Sequence, residues 1–381
     1  MLTETQRQIQ TLARDFAAEH LAPHSARWDA EGAFPRDVVA RLGELGFMGM
    51  LVPEEYEGLG LDTLTYLVAL EEIAAADAAV AVTLSIHNSI AAGMILAFGS
   101  DAQKARWLKG MAKGAVLGAF ALSEADAGSD AASLRAQARR VGTEWVLSGT
   151  KAWVTNGGKA DVVVALVRTD TPEQRRGVHG ISAFLVPTAT PGYRPGKPED
   201  KLGLRASDTR AVTFEDLRLP GDALLGEEGK GFAHAMQGLD RGRLGVAAQA
   251  VGIARRALEH TVAYCAERRQ FERPLREFQG VQFKLADMAV RVEAARALLW
   301  HAALRRDAGD RGTMYGSMAK LFASEAAMWV TTQAIQLFGG YGYMRDYPVE
   351  KLFRDAKVTE IYEGTSEIQR IVVSRELYAG R

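Results

Sequence analysis

The stretch GLDRGRLGVAAQAVGIARRALEH, from Gly238 to His260, decides the fold of the C-terminal part of the chain. Its apolar residues recur at the spacing of one helical face, at Leu244, Ala247, Ala248, Val251 and Leu258. A second stripe of the same kind follows at Val281, Leu285, Met288, Val292, Ala295 and Leu299. Because long helices bury such stripes against one another, the sequence predicts an antiparallel helical bundle over residues 229–381.

Two stretches with different residue patterns precede this bundle, the first typical of helices and the second typical of β-strands. Thr3 and Gln6 form a possible capping box, and the alanine-rich sequence that follows favours helix, apart from a loop at VPEEYEGLGLD. Later runs such as EWVLSGTKAWVTNGG, DVVVALVRT and GISAFLVP are short, rich in Val, Trp, Phe and Thr, and separated by turn residues. We therefore predict a helical domain over residues 1–117 and a β domain over residues 118–228, in a fold that is mainly α.

Composition and charge narrow the class of protein. The 381 residues are 48% hydrophobic and 24% charged, which is typical of a globular chain, and the net charge of −1 gives no footprint for nucleic acid or an anionic membrane. The N-terminus resembles neither a signal nor a transit peptide, and we expect no apolar run approaching about 20 residues. The single cysteine, Cys265, excludes an internal disulfide and a thiolate metal cage. We expect a cytoplasmic protein without nucleic-acid or membrane partners.

Several motifs have both a binding and a structural interpretation. FALSEADAGSD, from Phe120 to Asp130, is consistent with backbone N–H groups close to a polar ligand or with a surface loop. Trp153 and Thr155 in KAWVTNGG suit the side of a flat heterocycle, or a core tryptophan in a hairpin. Arg268 either clamps phosphate or compensates a helix C-terminus. Asp240 and Arg243 either bind a ligand or belong to a solvent-exposed helix face. Gly339 and Gly340 either let a ligand approach the backbone closely or end a helix.

Glu363 lies in VTEIYEGTSEIQR, from Val358 to Arg370, directly before a glycine and two hydroxyl residues. Ser366 and Gln369 have the spacing of a capping box, so an acidic residue here is consistent with a helix start. The alternative is a catalytic base in the loop before that helix. Other chemistries lack their motifs: there is no phosphate-binding P-loop, no HExxH and no clustering of the seven histidines, so no metal site is predicted.

Taken in order, FALSEADAGSD, WVTNGG, the helix from GLDRGRLG to ERRQF, QLFGGYGY and IYEGTSEIQR resemble the acyl-CoA dehydrogenase family over essentially the whole chain. The resemblance implies an N-terminal helical domain, a β-barrel-like middle domain and a C-terminal four-helix bundle. It also implies FAD bound between the β domain and the bundle, and a homotetramer in which a neighbouring subunit completes the flavin site.

The family's contacts transfer to this chain position by position. The resemblance places Phe120, Leu122, Ser123, Trp153 and Thr155 along the flavin, with Thr365 and Glu367 beside it. It assigns the ADP half of the cofactor to Arg268, Gln270, Phe271, Gln279, Gln336, Gly339 and Gly340. Contacts to the acyl-CoA substrate fall to Ser129, Asp240, Arg243, Tyr362 and Gly364.

The implied reaction is the oxidation of an acyl-CoA to trans-2-enoyl-CoA in fatty-acid β-oxidation. Glu363 would remove the α-proton while a hydride passes from Cβ to flavin N5, and the electrons would continue to electron-transferring flavoprotein. In some branched-chain and long-chain members, the catalytic base lies at the position that matches Gly242. Glycine has no side chain that could act as a base, so the resemblance is to the straight-chain, short- or medium-chain type. The resemblance also aligns Ile86 with a position at the far end of the acyl pocket, where a branched residue favours a short acyl chain.

The chain departs from the family at three positions. Ala125 and Asp126 replace Pro and Gly of the flavin loop, and Glu272 replaces the glycine of an R-x-x-F-G-x-P-L pattern. Neither change removes a catalytic group. The alternatives to a dehydrogenase are a flavin oxidase or monooxygenase on the same fold, which would pass electrons to oxygen, and a binding protein without activity.

Overall fold

The computed structural model describes residues 2–171 and 177–379. The chain opens with helices that pack on one another over its first third, and the Thr3–Gln6 capping box is confirmed at the start of the first of them. Asp62 and Asp77 cap the two central helices through backbone N–H groups. The helices are α1 (Glu4–Phe16), α2 (Ala22–Glu31), α3 (Arg36–Glu44), α4 (Thr63–Ala76), α5 (Ala78–Ser85), α6 (Gly93–Phe98) and α7 (Asp101–Ala112).

Helices α5 and α6 continue through a π-helical segment into one apolar helix, Ala78–Phe98. By length and composition this helix could cross a membrane, so the expectation that no apolar run approaches about 20 residues was wrong. Its most apolar window is 94% buried inside the protein, as in a core helix. Two of its polar residues are hydrogen-bonded to other parts of the protein: His87 Nδ1 accepts from the Gly118 N–H, and Asn88 donates to Phe47 O.

The middle region forms a sheet with the strand order β6-β7-β3-β2-β4-β5-β8. Strand β1 lies outside this order and pairs in parallel with β4. Along β4, Val162, Val164 and Leu166 face the helices, whereas Val163, Ala165 and Val167 face a second core inside the β domain. Burial on both faces explains the uninterrupted valine run. The strands are β1 (Gly118–Ala121), β2 (Gln137–Val141), β3 (Glu144–Thr155), β4 (Val162–Arg168), β5 (Ile181–Pro187), β6 (Tyr193–Pro198), β7 (Thr209–Pro220) and β8 (Leu224–Leu225).

The C-terminal region is the expected bundle, built on one long helix that is buried along most of its length. Its core is continuous with that of the N-terminal helices, because the long helix packs against α4 as well as against its own bundle. The elements are α8 (Gly231–Glu267), a short hairpin of β9 (Arg269–Gln270) and β10 (Arg273–Pro274), α9 (Gln279–Asp307), α10 (Thr313–Phe338), α11 (Val349–Lys357) and α12 (Ser366–Ala379). The fold is therefore helical, then β, then helical, as the sequence predicts.

Candidate active site

A cavity of about 710 Å³ opens where the β sheet meets the helices. All three regions of the chain line it, and most of the predicted flavin and substrate contacts meet there. The predicted residues on its wall are Phe120, Leu122, Ser123, Ser129, Trp153, Thr155, Arg243, Tyr362, Glu363, Gly364 and Thr365. An apolar part of the same wall comes from Val82, Ile86, Ile90, Phe232, Met236 and Leu239. The main cavity thus has a polar and an apolar side.

Trp153 owes its position to an irregularity in β3. The pairing of β3 with β7 shifts register between Lys151 and Val154, and Trp153 has a φ of 54°. Its side chain is 59% exposed and lies on the cavity wall, so the core interpretation of this residue was wrong. The core tryptophan of the domain is Trp145, which is 3% exposed and packs edge-on against Phe184.

The FALSEADAGSD loop is held by a buried ion pair that sequence reasoning missed. Lys151, fully buried on β3, donates to Leu122 O at 3.0 Å and to Glu124 Oε1 at 2.8 Å. Glu124 also accepts the backbone N–H groups of Arg135 and Ala136. Burial lowers the pKa of Lys151 to about 8, and Glu124 opposes that change. In the sequence, the only sign of this ion pair was that Glu124 and Lys151 are charged residues with mainly apolar or small neighbours.

Two of the departures from the family pattern lie away from this wall. Ala125 and Asp126 are exposed and outside the residues that line the main cavity. Asp126 is 3.9 Å from Arg135, an exposed pair of little energetic weight. The negative charge that Asp126 adds to this loop therefore lies on the side exposed to solvent, away from the main cavity.

Glu363 projects from the loop between α11 and α12 with a φ of 53°. Among the described residues, neither carboxylate oxygen has a hydrogen-bond partner, although both are buried. Burial raises the pKa of Glu363 to about 7, and the charges of Lys320 and Arg243 oppose that rise. A Cβ added to Gly242 would overlap Glu363 Oε2, so the carboxylate rests directly on α8. A buried, unpaired carboxylate in a cavity is the pattern of a catalytic base.

The helix cap beside Glu363 differs from the prediction. Ser366 is the first helical residue, and its hydroxyl finds no partner among the described residues, so the predicted Ser366–Gln369 capping box was wrong. Thr365 Oγ1 instead accepts the Ile368 N–H at 3.4 Å. Gln369, fully buried, donates to Glu363 O at 3.2 Å and to Gly364 O at 2.8 Å. Both side chains therefore fix the loop that carries Glu363.

Asp240 and Arg243 are buried, so the interpretation as a solvated face was wrong. Arg243 donates to Asp240 Oδ1 at 2.6 Å, and Asp240 also accepts from Thr313 Oγ1. Arg243 lines the main cavity, whereas Asp240 lies behind it. Tyr362 completes this side of the wall by donating its hydroxyl to Gln249 Oε1.

The residues predicted for the ADP half of the cofactor lie apart from the main cavity. Arg268, Gln270, Gly339 and Gly340 line a second cavity of about 520 Å³ at one end of the bundle. Gly339 ends α10 with a φ of 63°, so the helix-stop interpretation is confirmed. Four further predicted residues are exposed and outside both cavities: Phe271, Gln279, Gln336 and Glu367.

Glu272 stands in the hairpin between β9 and β10 with a φ of 66°. This left-handed conformation is ordinary for glycine and uncommon for residues with a Cβ. The backbone here therefore keeps the shape that the family's glycine favours, even though glutamate occupies the position.

Three family models cover nearly the whole chain: the N-terminal domain of acyl-CoA dehydrogenases matches residues 3–115, the middle domain 119–217 and the C-terminal domain 229–378. The mitochondrial short-chain specific acyl-CoA dehydrogenase of Bos taurus is 51% identical, over 99% of this chain and 90% of its own. Butyryl-CoA dehydrogenase from Megasphaera elsdenii has a TM-score of 0.97 at 44% identity, with 99% of each chain covered.

A chain in a structure of the electron transferring flavoprotein of Acidaminococcus fermentans also has a TM-score of 0.97, at 46% identity over 99% of each chain. The matches extend over the cavity wall as well as the helices and the sheet. The chain therefore belongs to the acyl-CoA dehydrogenase family, whose members are FAD-dependent oxidoreductases.

Proposed function

We propose that this protein oxidises the Cα–Cβ bond of a short, straight-chain acyl-CoA to give trans-2-enoyl-CoA, with Glu363 as the base. The observation that carries the proposal is the Glu363 carboxylate, buried in the main cavity without a hydrogen-bond partner among the described residues. An unpaired carboxylate is costly to bury, so its retention favours a catalytic role over a structural one.

The main cavity fits the flavin end of FAD. The side chain of Trp153 is free to lie along a flat ring, and Ser123, Thr155 and Thr365 supply hydroxyl groups on the same wall. Phe120 and Leu122 add apolar surface. When bound, FAD supplies the oxidant that accepts the hydride lost from Cβ.

Glu363 is suited to remove a weakly acidic α-proton. Its pKa of about 7 makes the carboxylate a stronger base than an exposed glutamate, while about half of it is still ionised at neutral pH. The apolar wall excludes water from the acyl chain and so maintains the burial that raises this pKa. The carboxylate rests on Gly242, and we propose that this contact aims it across the cavity.

The proposed substrate is short and unbranched. Val82, Ile86 and Ile90 place branched side chains on the apolar wall, where they take up volume that a longer acyl chain would need. The short-chain specific enzyme of Bos taurus and the butyryl-CoA dehydrogenase of Megasphaera elsdenii support this choice by their names and their similarity. We therefore expect butyryl-CoA to be preferred over octanoyl-CoA and isobutyryl-CoA.

Two partners belong to the proposal. Electron-transferring flavoprotein is the proposed acceptor, supported by the likeness to a chain from the Acidaminococcus fermentans structure. A homotetramer is supported by the separation of the residues predicted to bind ADP from the main cavity and by large exposed side chains, among them Phe271 and Tyr343 at 87% and 85% exposure. The cytoplasmic location stays a prediction.

The test is an anaerobic visible spectrum of the FAD-loaded protein before and after addition of butyryl-, octanoyl- or isobutyryl-CoA. We expect butyryl-CoA to bleach the flavin band and an artificial acceptor to restore it. A flavin band that no thioester bleaches would contradict the proposed reaction. Faster reoxidation by oxygen than by electron-transferring flavoprotein would instead indicate the same-fold oxidase.

A further inference from the structure

Lys320, on α10, is a fully buried cation behind the loop that carries Glu363. Its ammonium group donates to the backbone carbonyl of Gly364 at 2.6 Å. It forms no direct ion pair with any residue of 2–171 or 177–379, and burial lowers its pKa to about 8. A buried ammonium without a contacting carboxylate is unfavourable, so its position requires a compensating interaction.

The first compensation is with the backbone of the loop. Glu363 and Gly364 have consecutive positive φ values, 53° and 93°. Such a conformation persists only where the surroundings determine it. Lys320 and Gln369 together hold its carbonyl groups, because both donate to Gly364 O and Gln369 also donates to Glu363 O.

The second compensation is electrostatic. Glu363 is the group that most strongly favours the charged form of Lys320, and Lys320 is in turn the strongest charge opposing the rise in the pKa of Glu363. Several other ionisable groups act on this pair. They are Arg243 on α8, Tyr66 on α4, Tyr362 next to Glu363 in the loop, and Glu360 and Glu367 on either side of it.

Arg243 and Lys320 differ in how they are placed. Arg243 is held by a direct ion pair with Asp240, which offsets much of its charge. Lys320 has no such partner among the described residues, so its charge acts on the base without a competing carboxylate in contact. Of the two cations that face Glu363, Lys320 is therefore the one whose removal changes the field at the base most.

We infer that Lys320 is a positioning residue for the catalytic base, fixing the loop through Gly364 O and placing an uncompensated positive charge behind the Glu363 carboxylate. This inference rests on the proposed role of Glu363. It differs from a purely structural role, because a lysine that only fills space would affect stability and leave the ionisation of Glu363 unchanged.

The test is the pH dependence of kcat/KM for butyryl-CoA in the FAD-loaded enzyme. Lys320→Met keeps the length and most of the volume of the side chain but removes both the charge and the donor. We expect the acid limb of its profile to move to higher pH by about one unit, because a neighbouring opposite charge lowers a carboxyl pKa by about that much or more. Lys320→Arg, which keeps the charge, should leave the limb near its wild-type position.

Two further variants make the result decisive. Lys351→Met removes another largely enclosed lysine, whose side chain is 13% exposed and pairs with Asp355, and should lower the melting temperature without moving the acid limb. If Lys320→Met does not fold, Lys320→Gln, which retains a donor for Gly364 O, tests the same limb. An acid limb unchanged from wild type in the folded variant overturns the inference.

The outcome is separable from that of the proposed function. If Glu363→Gln is inactive and the acid limb of Lys320→Met does not move, only the role of Lys320 fails. If Glu363→Gln retains wild-type activity, the base assignment fails first and the role of Lys320 fails with it.

Discussion

The two cavities of this chain are built in opposite ways. The main cavity takes its wall from all three regions of one chain, and the backbone of that wall at Leu122 and Gly364 accepts hydrogen bonds from the buried side chains of Lys151, Lys320 and Gln369. The second cavity lies at the end of the bundle, and Gln270, Gly339 and Gly340 on its wall are exposed. From this difference we propose that the reacting groups are organised within one chain, whereas the ADP end of the cofactor, at the second cavity, relies on further contacts.

The substitution Glu363→Gln should have the largest effect on the chemistry in the main cavity. The amide keeps the shape of the side chain but cannot accept the α-proton, so we expect turnover of butyryl-CoA to fall by about 10²–10⁴-fold or more. FAD content and binding of a non-reacting thioester should be retained. Steady-state kinetics with a flavin spectrum of the same sample checks both expectations, and wild-type turnover would remove the base assignment.

Glu363→Gln should also change the pH dependence of the free energy of unfolding. Because burial raises the pKa of Glu363 from 4.5 to about 7, the folded state binds this proton more tightly than the unfolded state. Wild-type stability from this group is therefore present below about pH 4.5 and is lost as pH rises through about 7. Glu363→Gln should be more stable than wild type above pH 7, by up to about 3 kcal/mol, and the gain should vanish near pH 4.5. Thermal melts across this range would reveal the crossover.

Gly242→Ala tests whether the contact under the base is tight. The added Cβ would overlap Glu363 Oε2 and approach Ile90 Cδ1, so the carboxylate must move. Overpacking of this kind costs about 1–3 kcal/mol, which corresponds to about 5- to 150-fold in kcat if it is expressed in the transition state. Gly280→Ala, on α9 with open space around the added Cβ, is the matched control. Equal kcat values for both variants would contradict the tight contact.

A substitution in the second cavity should weaken the binding of FAD without changing the proton-transfer chemistry. The Arg268 guanidinium lies over the Tyr341 ring, 5.3 Å from its centre, on the wall of this cavity. Arg268→Ala should weaken FAD retention by about tenfold, the effect of losing one charge-assisted hydrogen bond to phosphate, and leave the acid limb of kcat/KM in place. Arg139→Ala, at an exposed position of β2, controls for loss of charge. FAD titration of the apoprotein measures the difference, and equal affinity in both variants would disprove the assignment.

Local pattern was sufficient for the order of structural regions and for the general place of the chemistry. The stripe of α8, the capping box at Thr3 and the strand-like runs after residue 118 are short-range features, and short-range physics specifies them. The resemblance then named residues that meet in the main cavity, although they are far apart in the chain. The same local rules failed at Ser366, where the spacing of a capping box is present but Thr365 makes the bond and Gln369 turns to the loop carbonyls.

The amino-acid pattern alone was enough to predict the order of helical, β and helical regions and a glutamate directly before the last helix. The burial of Glu363, the absence of a hydrogen-bond partner for its carboxylate among the described residues, and its raised pKa follow only from the folded arrangement. The pKa of Glu363 depends on burial by the cavity wall, on Gly242 beneath it and on the charges of Lys320 and Arg243. Gly242 and Arg243 lie on α8, Lys320 on α10, and the wall comes from all three regions of the chain. Desolvation and Coulomb interactions depend on distance in space rather than on spacing along the chain.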